Sequence, residues 1–201
     1  FSPQTEWVPP DSFPDLSKYD EIAIDLETRD PELKTMGSGS ITGKGEIVGI
    51  AVAVEGWSGY YPIAHEGGGN LDKKKVLDWF RIILNYDSVK IFHNAMYDVC
   101  FIRAAGLKIN GLIVDTMIAG SLVDENRFRY DLGSMGRDYL GKGKNEAVLA
   151  ETAAIWGVDA KSEMYKLPAM YVGEYAERDA ELTLDLWQEM RKEITHQDIA
   201  L

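Results

Sequence analysis

Apolar positions along the chain follow two periods. Ile22-Ala23-Ile24-Asp25-Leu26 and the nine residues 46–54 (EIVGIAVAV) are near-continuous apolar runs, the pattern of strands buried in a sheet. Residues 57–63 make a third strand, joined to the second by a tight Glu55-Gly56 turn. From Asp72 to Asn85 the period lengthens, and Val76, Leu77, Phe80, Ile83 and Leu84 recur at helical spacing. Residues 89–92 read as a short strand, 94–105 as a helix stopped by Gly106, and 112–114 as a further strand, after which Asp115 caps another helix. Helical stretches at 131–140 and 145–156 flank a Gly141-Lys142-Gly143-Lys144 turn, and residues 157–167 read as loop. Pro168 opens a long C-terminal helix that runs through Glu193. Residues 29–45, rich in Gly, Ser and Thr, read as a flexible loop. Residues 1–18, with Pro3, Pro9, Pro10 and Pro14, read as an extended lead-in that Trp7 and Phe13 pin to the body. Three strands, then helix–strand–helix–strand, then a helical tail predict a mixed α/β sheet with helices on its faces. Trp79, Phe80, Trp156 and Trp187 are assigned to the core, Gly67 to Gly69 to a turn, and Cys100 to a buried, small hydrophobic position.

Composition narrows the function classes. The length of 201 residues suits one sizeable core, with 45% hydrophobic and 27% charged residues. No apolar run approaches the roughly 20 residues of a membrane helix, and the polar start has no basic, signal-like region. A first residue other than Met suggests a fragment or processed form. One cysteine excludes an intrachain disulfide and argues against a cysteine zinc cluster, and the three histidines lack ligand spacing. A reducing interior fits: the cytoplasm of a bacterium or phage-infected cell, or an organelle, with no secretion and no membrane partner. The net charge of −12 argues against tight nucleic-acid binding, unless part of it is a carboxylate cluster neutralised by divalent metal.

Three short motifs favour the cluster. In Asp25-Leu26-Glu27 both acids lie on one strand face, where like charges are costly to desolvate unless a cation lies between them. In Asn94-Ala95-Met96-Tyr97-Asp98 and in Tyr175-Ala176-Glu177-Arg178-Asp179, the first and last residues share a helix face. A phenol there can orient a water while the carboxylate one turn on holds a metal. Each motif alone has an ordinary explanation: a strand end fraying into solvent, an N-capping asparagine above a solvated acid, an amphipathic helix with its tyrosine in the core.

Together, in this order, the motifs resemble the DEDD exonuclease superfamily in its tyrosine-containing subgroup, and more narrowly the proofreading domain of phage-like family A DNA polymerases. DLET at 25–28, NAMYD at 94–98 and YAERD at 175–179 match its three exonuclease motifs; HEGGGNLD at 65–72, VDTM at 114–117 and DLGSMGRDYLG at 131–141 are similar to the polymerase-linked branch. The resemblance covers residues 19–193. It implies a ribonuclease H-like fold with a five-stranded mixed sheet, and two divalent ions, Mg²⁺ or Mn²⁺, on Asp25, Glu27, Asp98 and Asp179. By motif position, Asp25 bridges the ions, Glu27 and Asp179 complete the first site, Asp98 holds the second, and Tyr175 places the attacking water. Leu26, Thr28 and Asn94 lie near the terminal nucleotide. Such chemistry fits phosphodiester hydrolysis, which needs a nucleophile at neutral pH and a sink for charge on the leaving 3′ oxygen.

The implied domain covers 19–195, with 196–201 starting a linker to a covalently attached polymerase domain, and the piece itself is expected to be a monomer. Its substrate would be the 3′ end of single-stranded DNA. Tyr97 is a candidate base stacker, and Arg127, Arg129, Arg137, Lys142 and Lys144 are candidate backbone contacts, or simply a solvated charge run. Binding is expected to be weak and salt-sensitive. Two other readings remain open: an RNA exonuclease of ribonuclease D type, and a noncatalytic module that guides DNA in a polymerase.

Overall fold

The computed structural model describes residues 3–196. Five strands form one sheet in the order β3-β2-β1-β4-β5. They are β1 (Glu21–Arg29), β2 (Glu46–Val54), β3 (Trp57–Pro62), β4 (Val89–Phe92) and β5 (Ile113–Asp115). β1 and β2, and β2 and β3, pair antiparallel, while β4 and β5 run parallel to β1. The sheet is therefore mixed, as the element order predicts.

Each face of the sheet carries its own core, and strand alternation decides which residue joins which. Ile22, Ile24, Leu26, Ile50 and Val52 face one way, against α3 (Lys73–Leu84) and α4 (Ala95–Ala104). Ala23, Ala51, Ala53 and Tyr60 face the other way, against α8 (Gly173–His196). The small residues on that second face let the long helix approach the strands closely, and this approach carries the third motif to the sheet.

Several local expectations change. Segment 29–45 contains two one-turn helices, α1 (Leu33–Met36) and α2 (Gly39–Thr42), so it is more than a flexible loop. The Asp30 carboxylate accepts from Gly39 N at 3.0 and 3.1 Å, and a Cβ on Gly39 would lie 2.6 Å from the Gly45 backbone. Stretch 131–140 splits into α6 (Leu132–Met135) and one π-helical turn at Gly136–Leu140. The next helix is α7 (Ala147–Trp156). Pro168 precedes a short 3₁₀ turn (Ala169–Tyr171), and α8 begins only at Gly173. Trp156 is 48% exposed at the end of α7, not core, and Cys100 is only half-buried. Gly67 to Gly69 do form a turn, packed against Leu167 and Pro168.

The lead-in packs on both cores. Trp7 lies over Gly173, Phe13 stacks on Tyr61 at 5.6 Å, and the Trp79 indole donates to Pro14 O at 2.9 Å. His196 ends α8; the rest of the expected linker, 197–201, lies outside the described residues, as do residues 1 and 2. No helix among the described residues is long and apolar enough to cross a membrane.

Candidate active site

β1 outruns its parallel neighbour. β4 pairs only with Glu21 to Ala23, then leaves the sheet at Phe92 to enter α4. The rest of β1 has an open edge there, and the freed Leu26 N–H donates to Asp98 Oδ2 at 3.4 Å. This is the carboxyl end of a parallel strand pair, where α/β sheets bind ligands. A register shift follows Glu27 and redirects the strand just past the acids.

Asp25 and Glu27 lie on the α8 face, opposite Ala51 and Gly49 of β2. From α8, Asp179 meets them. Carboxylate oxygens of Asp25, Glu27 and Asp179 all lie within 4.8 Å of one another. Asp98 stands just outside that trio, on the first turn of α4, close enough for the Asp25 charge to raise its pKa. Tyr175, one turn before Asp179, completes the group that the three motifs single out.

The electrostatics are those of an unbalanced acid cluster. Burial first, and Asp179 second, push Asp25 up to about 8, against the pull of Lys144. Glu27 stands well above its ordinary value through burial and then the charges of Asp25 and Asp179. Asp98 is raised by burial and Asp25, and Asp179 is raised by burial in spite of Lys144. Burial and the carboxylates also raise Tyr175, so its phenol stays protonated. Asp179 Oδ1 is buried with no hydrogen-bond partner. An all-oxygen donor set with one such unpartnered oxygen fits a hard divalent cation.

Sequence reasoning placed Lys144 only among candidate backbone contacts or a solvated charge run, and missed Tyr60 at this site. Lys144 donates to Asp179 Oδ2 at 2.9 Å and to the Tyr175 hydroxyl at 3.1 Å, so it faces into the cluster. Its local GKGK turn shows flexibility but not aim, so only the packing against α8 could reveal this. Tyr60 crosses over Gly49, where any Cβ would sit 2.0 Å from its hydroxyl oxygen. That hydroxyl bonds buried His65 Nε2 at 2.7 Å, and His65 Nδ1 lies 3.0 Å from Leu167 O. A Tyr60–His65 pair thus backs Glu27. The single glycine in the β2 run is the trace it leaves in the sequence.

The other expected residues are dispersed around the trio. Thr28 Oγ1 and the Tyr97 hydroxyl are 2.8 Å apart, and Tyr97 also donates to Asp30 Oδ2 at 2.9 Å. Tyr97 packs on Phe101 with ring centroids 5.1 Å apart, so this side chain is held in place. The Leu26 side chain is buried in the core on the far face, leaving only its backbone at the site. Asn94 is exposed in a left-handed conformation (φ 65°) and makes no side-chain cap, so it is not on the helical face of Asp98. The Asp115 carboxylate caps α4 instead, accepting from Asn94 N and Ala95 N, and also caps α5 (Thr116–Val123) through Met117 N. Of the basic stretch, Arg127 and Lys142 are engaged by Asp138 and Asp185. Arg137 is exposed and donates to Ser134 Oγ at 3.3 Å; a Cβ on Gly133 would lie 3.5 Å from its Nη1 and 3.6 Å from Lys144 Cδ.

Comparison with known proteins agrees with the geometry. The profile of a family described as 3′-5′ exonuclease matches residues 6–195. A DNA-directed DNA polymerase of Pseudomonas phage M6 is 36% identical over 97% of this chain, which spans 30% of that relative. Among solved structures, Brucella melitensis NrnC with bound Mg²⁺ superposes with a TM-score of 0.62 at 17% identity, covering 92% of this chain and 78% of that one. Trypanosoma brucei RNase D gives 0.62 at 18% identity, covering 87% and 58%. At these identities the solved structures speak for a shared ribonuclease H-like fold. The match across nearly the whole chain and the phage relative go further: this chain belongs to the 3′–5′ exonuclease family, in the branch carried by family A DNA polymerases.

Proposed function

We propose that this domain removes nucleotides from the 3′ end of single-stranded DNA by metal-dependent hydrolysis, as the proofreading part of a DNA polymerase. The observation that carries the reading is the convergence of Asp25, Glu27 and Asp179 within 4.8 Å, with one buried oxygen of Asp179 unpartnered. Divalent cations, Mg²⁺ or Mn²⁺, held by Asp25, Glu27, Asp98 and Asp179 would supply activation of water at neutral pH and stabilisation of the leaving oxygen. Without such cations the acids would repel a phosphate.

The remaining work falls to the chain. Tyr175 stays protonated, its oxygen accepts from Lys144, and its O–H faces the Asp179 carboxylate, where it would orient the attacking water beside the acids. Asp98 is held against β1 by the Leu26 N–H, which fixes one acid relative to the other three. Thr28, joined to Tyr97 by a hydrogen bond just past Glu27 on β1, would meet the terminal nucleotide with Tyr97 and the Leu26 backbone, and the exposed Asn94 and Arg137 would be further contacts. The relatives are longer DNA polymerases, of which this chain spans about 30%, and this supports DNA rather than RNA as the substrate.

The test is digestion of a 5′-labelled single-stranded DNA oligonucleotide with Mg²⁺ or Mn²⁺, beside EDTA and an Asp25→Ala/Glu27→Ala control. A ladder that shortens from the 3′ end and vanishes in both controls is expected. Absence of cleavage by the native chain on DNA and RNA would refute the reading. The likeness to T. brucei RNase D keeps an RNA exonuclease as a second reading; faster cleavage of a matched RNA oligonucleotide would favour it.

A further inference from the structure

Lys144 is a cation in the place where cations are proposed to bind. Its ammonium reaches Asp179 at 2.9 Å and Tyr175 at 3.1 Å, lies 5.0 Å from the centre of the Tyr175 ring, and keeps only 20% of its side-chain exposure. It also acts electrostatically on Asp25 and Glu27. The turn that carries it is fastened to the same helix, since Arg178 Nε donates to Gly143 O at 3.2 Å. Gly143 itself has no neighbour that a Cβ would strike, so the turn has room to adjust.

The charges suggest what this lysine is for. Asp25, Glu27, Asp98 and Asp179 bring four negative charges, and two divalent cations would balance them. Lys144 then has no unmatched acid left within the cluster. A phosphodiester brings one negative charge. We propose that Lys144 is a shared cation: it stands in at Asp179 when metal is absent and pairs with the scissile phosphate when metal and substrate are present. This rests on the exonuclease reading above and adds a catalytic residue to it. Of the three ammonium protons, two serve Asp179 and Tyr175, which leaves one for a phosphate oxygen at the same place.

The inference predicts opposite effects on two ligands. A stand-in cation opposes a divalent ion by charge repulsion, so Lys144→Met should bind Mn²⁺ about tenfold more tightly. A phosphate partner supports the nucleic acid, so the same variant should bind a single strand more weakly, with a log–log salt slope smaller by about one. A lysine that merely held α8 in shape would weaken both together.

The experiment has two arms. Mn²⁺ is titrated by calorimetry into the native protein, Lys144→Met, Lys144→Arg and Asp25→Asn, without nucleic acid. A fluorescent oligodeoxynucleotide with 3′-terminal phosphorothioate linkages, which keep the charge and resist hydrolysis, is then titrated in Mg²⁺ at several salt concentrations. Tighter Mn²⁺ binding with weaker, less salt-sensitive oligonucleotide binding in Lys144→Met, and recovery of oligonucleotide binding in Lys144→Arg, is the expected result. Weaker binding of both ligands, or unchanged oligonucleotide binding, overturns the inference alone. A native protein that takes up no Mn²⁺ overturns the function proposed above and this inference with it.

Discussion

Replacing Asp25 by Asn should make the metal-free protein more stable, although it removes a residue assigned to catalysis. Burial and then Asp179 push the Asp25 carboxyl from its ordinary 3.8 up to about 8 in the fold. Between those values the folded chain holds a proton that the unfolded chain has released. Stability contributed by this group therefore falls as pH rises through that window, and the loss is complete above the folded value. Each pH unit costs about 1.4 kcal/mol, so the roughly three units below pH 7 set a ceiling of about 4 kcal/mol. Partial exposure of the side chain screens this to about 2 to 3 kcal/mol. In a chain of this size 1 kcal/mol moves Tm by about 2 to 4 °C, so a gain of roughly 5 to 10 °C is expected. The assay is thermal melting by circular dichroism in EDTA at pH 4 and pH 7.5. The Asn variant should melt higher at pH 7.5 and match the native chain at pH 4. Saturating Mn²⁺ should narrow or reverse the difference, because the native cluster gains a ligand that the variant binds poorly. A variant that melts no higher than the native chain at pH 7.5 without metal would refute the account of a frustrated acid cluster.

Two further substitutions probe the scaffold around the acids. Gly49→Ala places a methyl group 2.0 Å from the Tyr60 hydroxyl, so Tyr60 must leave His65; urea unfolding should show a loss of about 1 to 3 kcal/mol. Asp115→Ala removes the caps of α4 and α5 together, which should cost about 1 to 3 kcal/mol in the same assay and slow oligonucleotide digestion, since Asp98 lies in the first turn of α4.

The parts legible in the sequence are those that local periodicity and motif spacing encode. Strand alternation sets Asp25 and Glu27 on one face, and helical spacing aligns Tyr175 with Asp179; neither needs knowledge of the partner element. The parts that were not legible depend on contacts between distant segments. Asn94 has the residue type of an N-cap, yet Asp115, from the next strand, supplies the bonds, because β5 brings its carboxylate to the same helix end. Trp156 satisfies a helical apolar pattern, but α7 ends there, at Gly157, with the indole facing solvent. Lys144 reads as a candidate backbone contact or a solvated charge in a glycine-rich turn, and only the packing of that turn on α8 shows that it points at the acids. Gly39 and Gly45 suggest looseness; in the fold they allow two backbones to touch.

The N-terminal strap has a mechanical consequence. Trp7 packs on Gly173 and its indole donates to Glu177 Oε1 at 2.9 Å, while Glu177 also accepts from Tyr60 N at 3.1 Å. Glu177 lies midway between Tyr175 and Asp179 on α8. Further along, the strap is tied to the opposite core through Ser12 O and Pro14 O. A pull on the chain ahead of Trp7 is therefore resisted by both faces of the sheet, and it loads the helix turn that carries the tyrosine and the aspartate. A tether attached before it would transmit strain to the site instead of dissipating it in a slack tail.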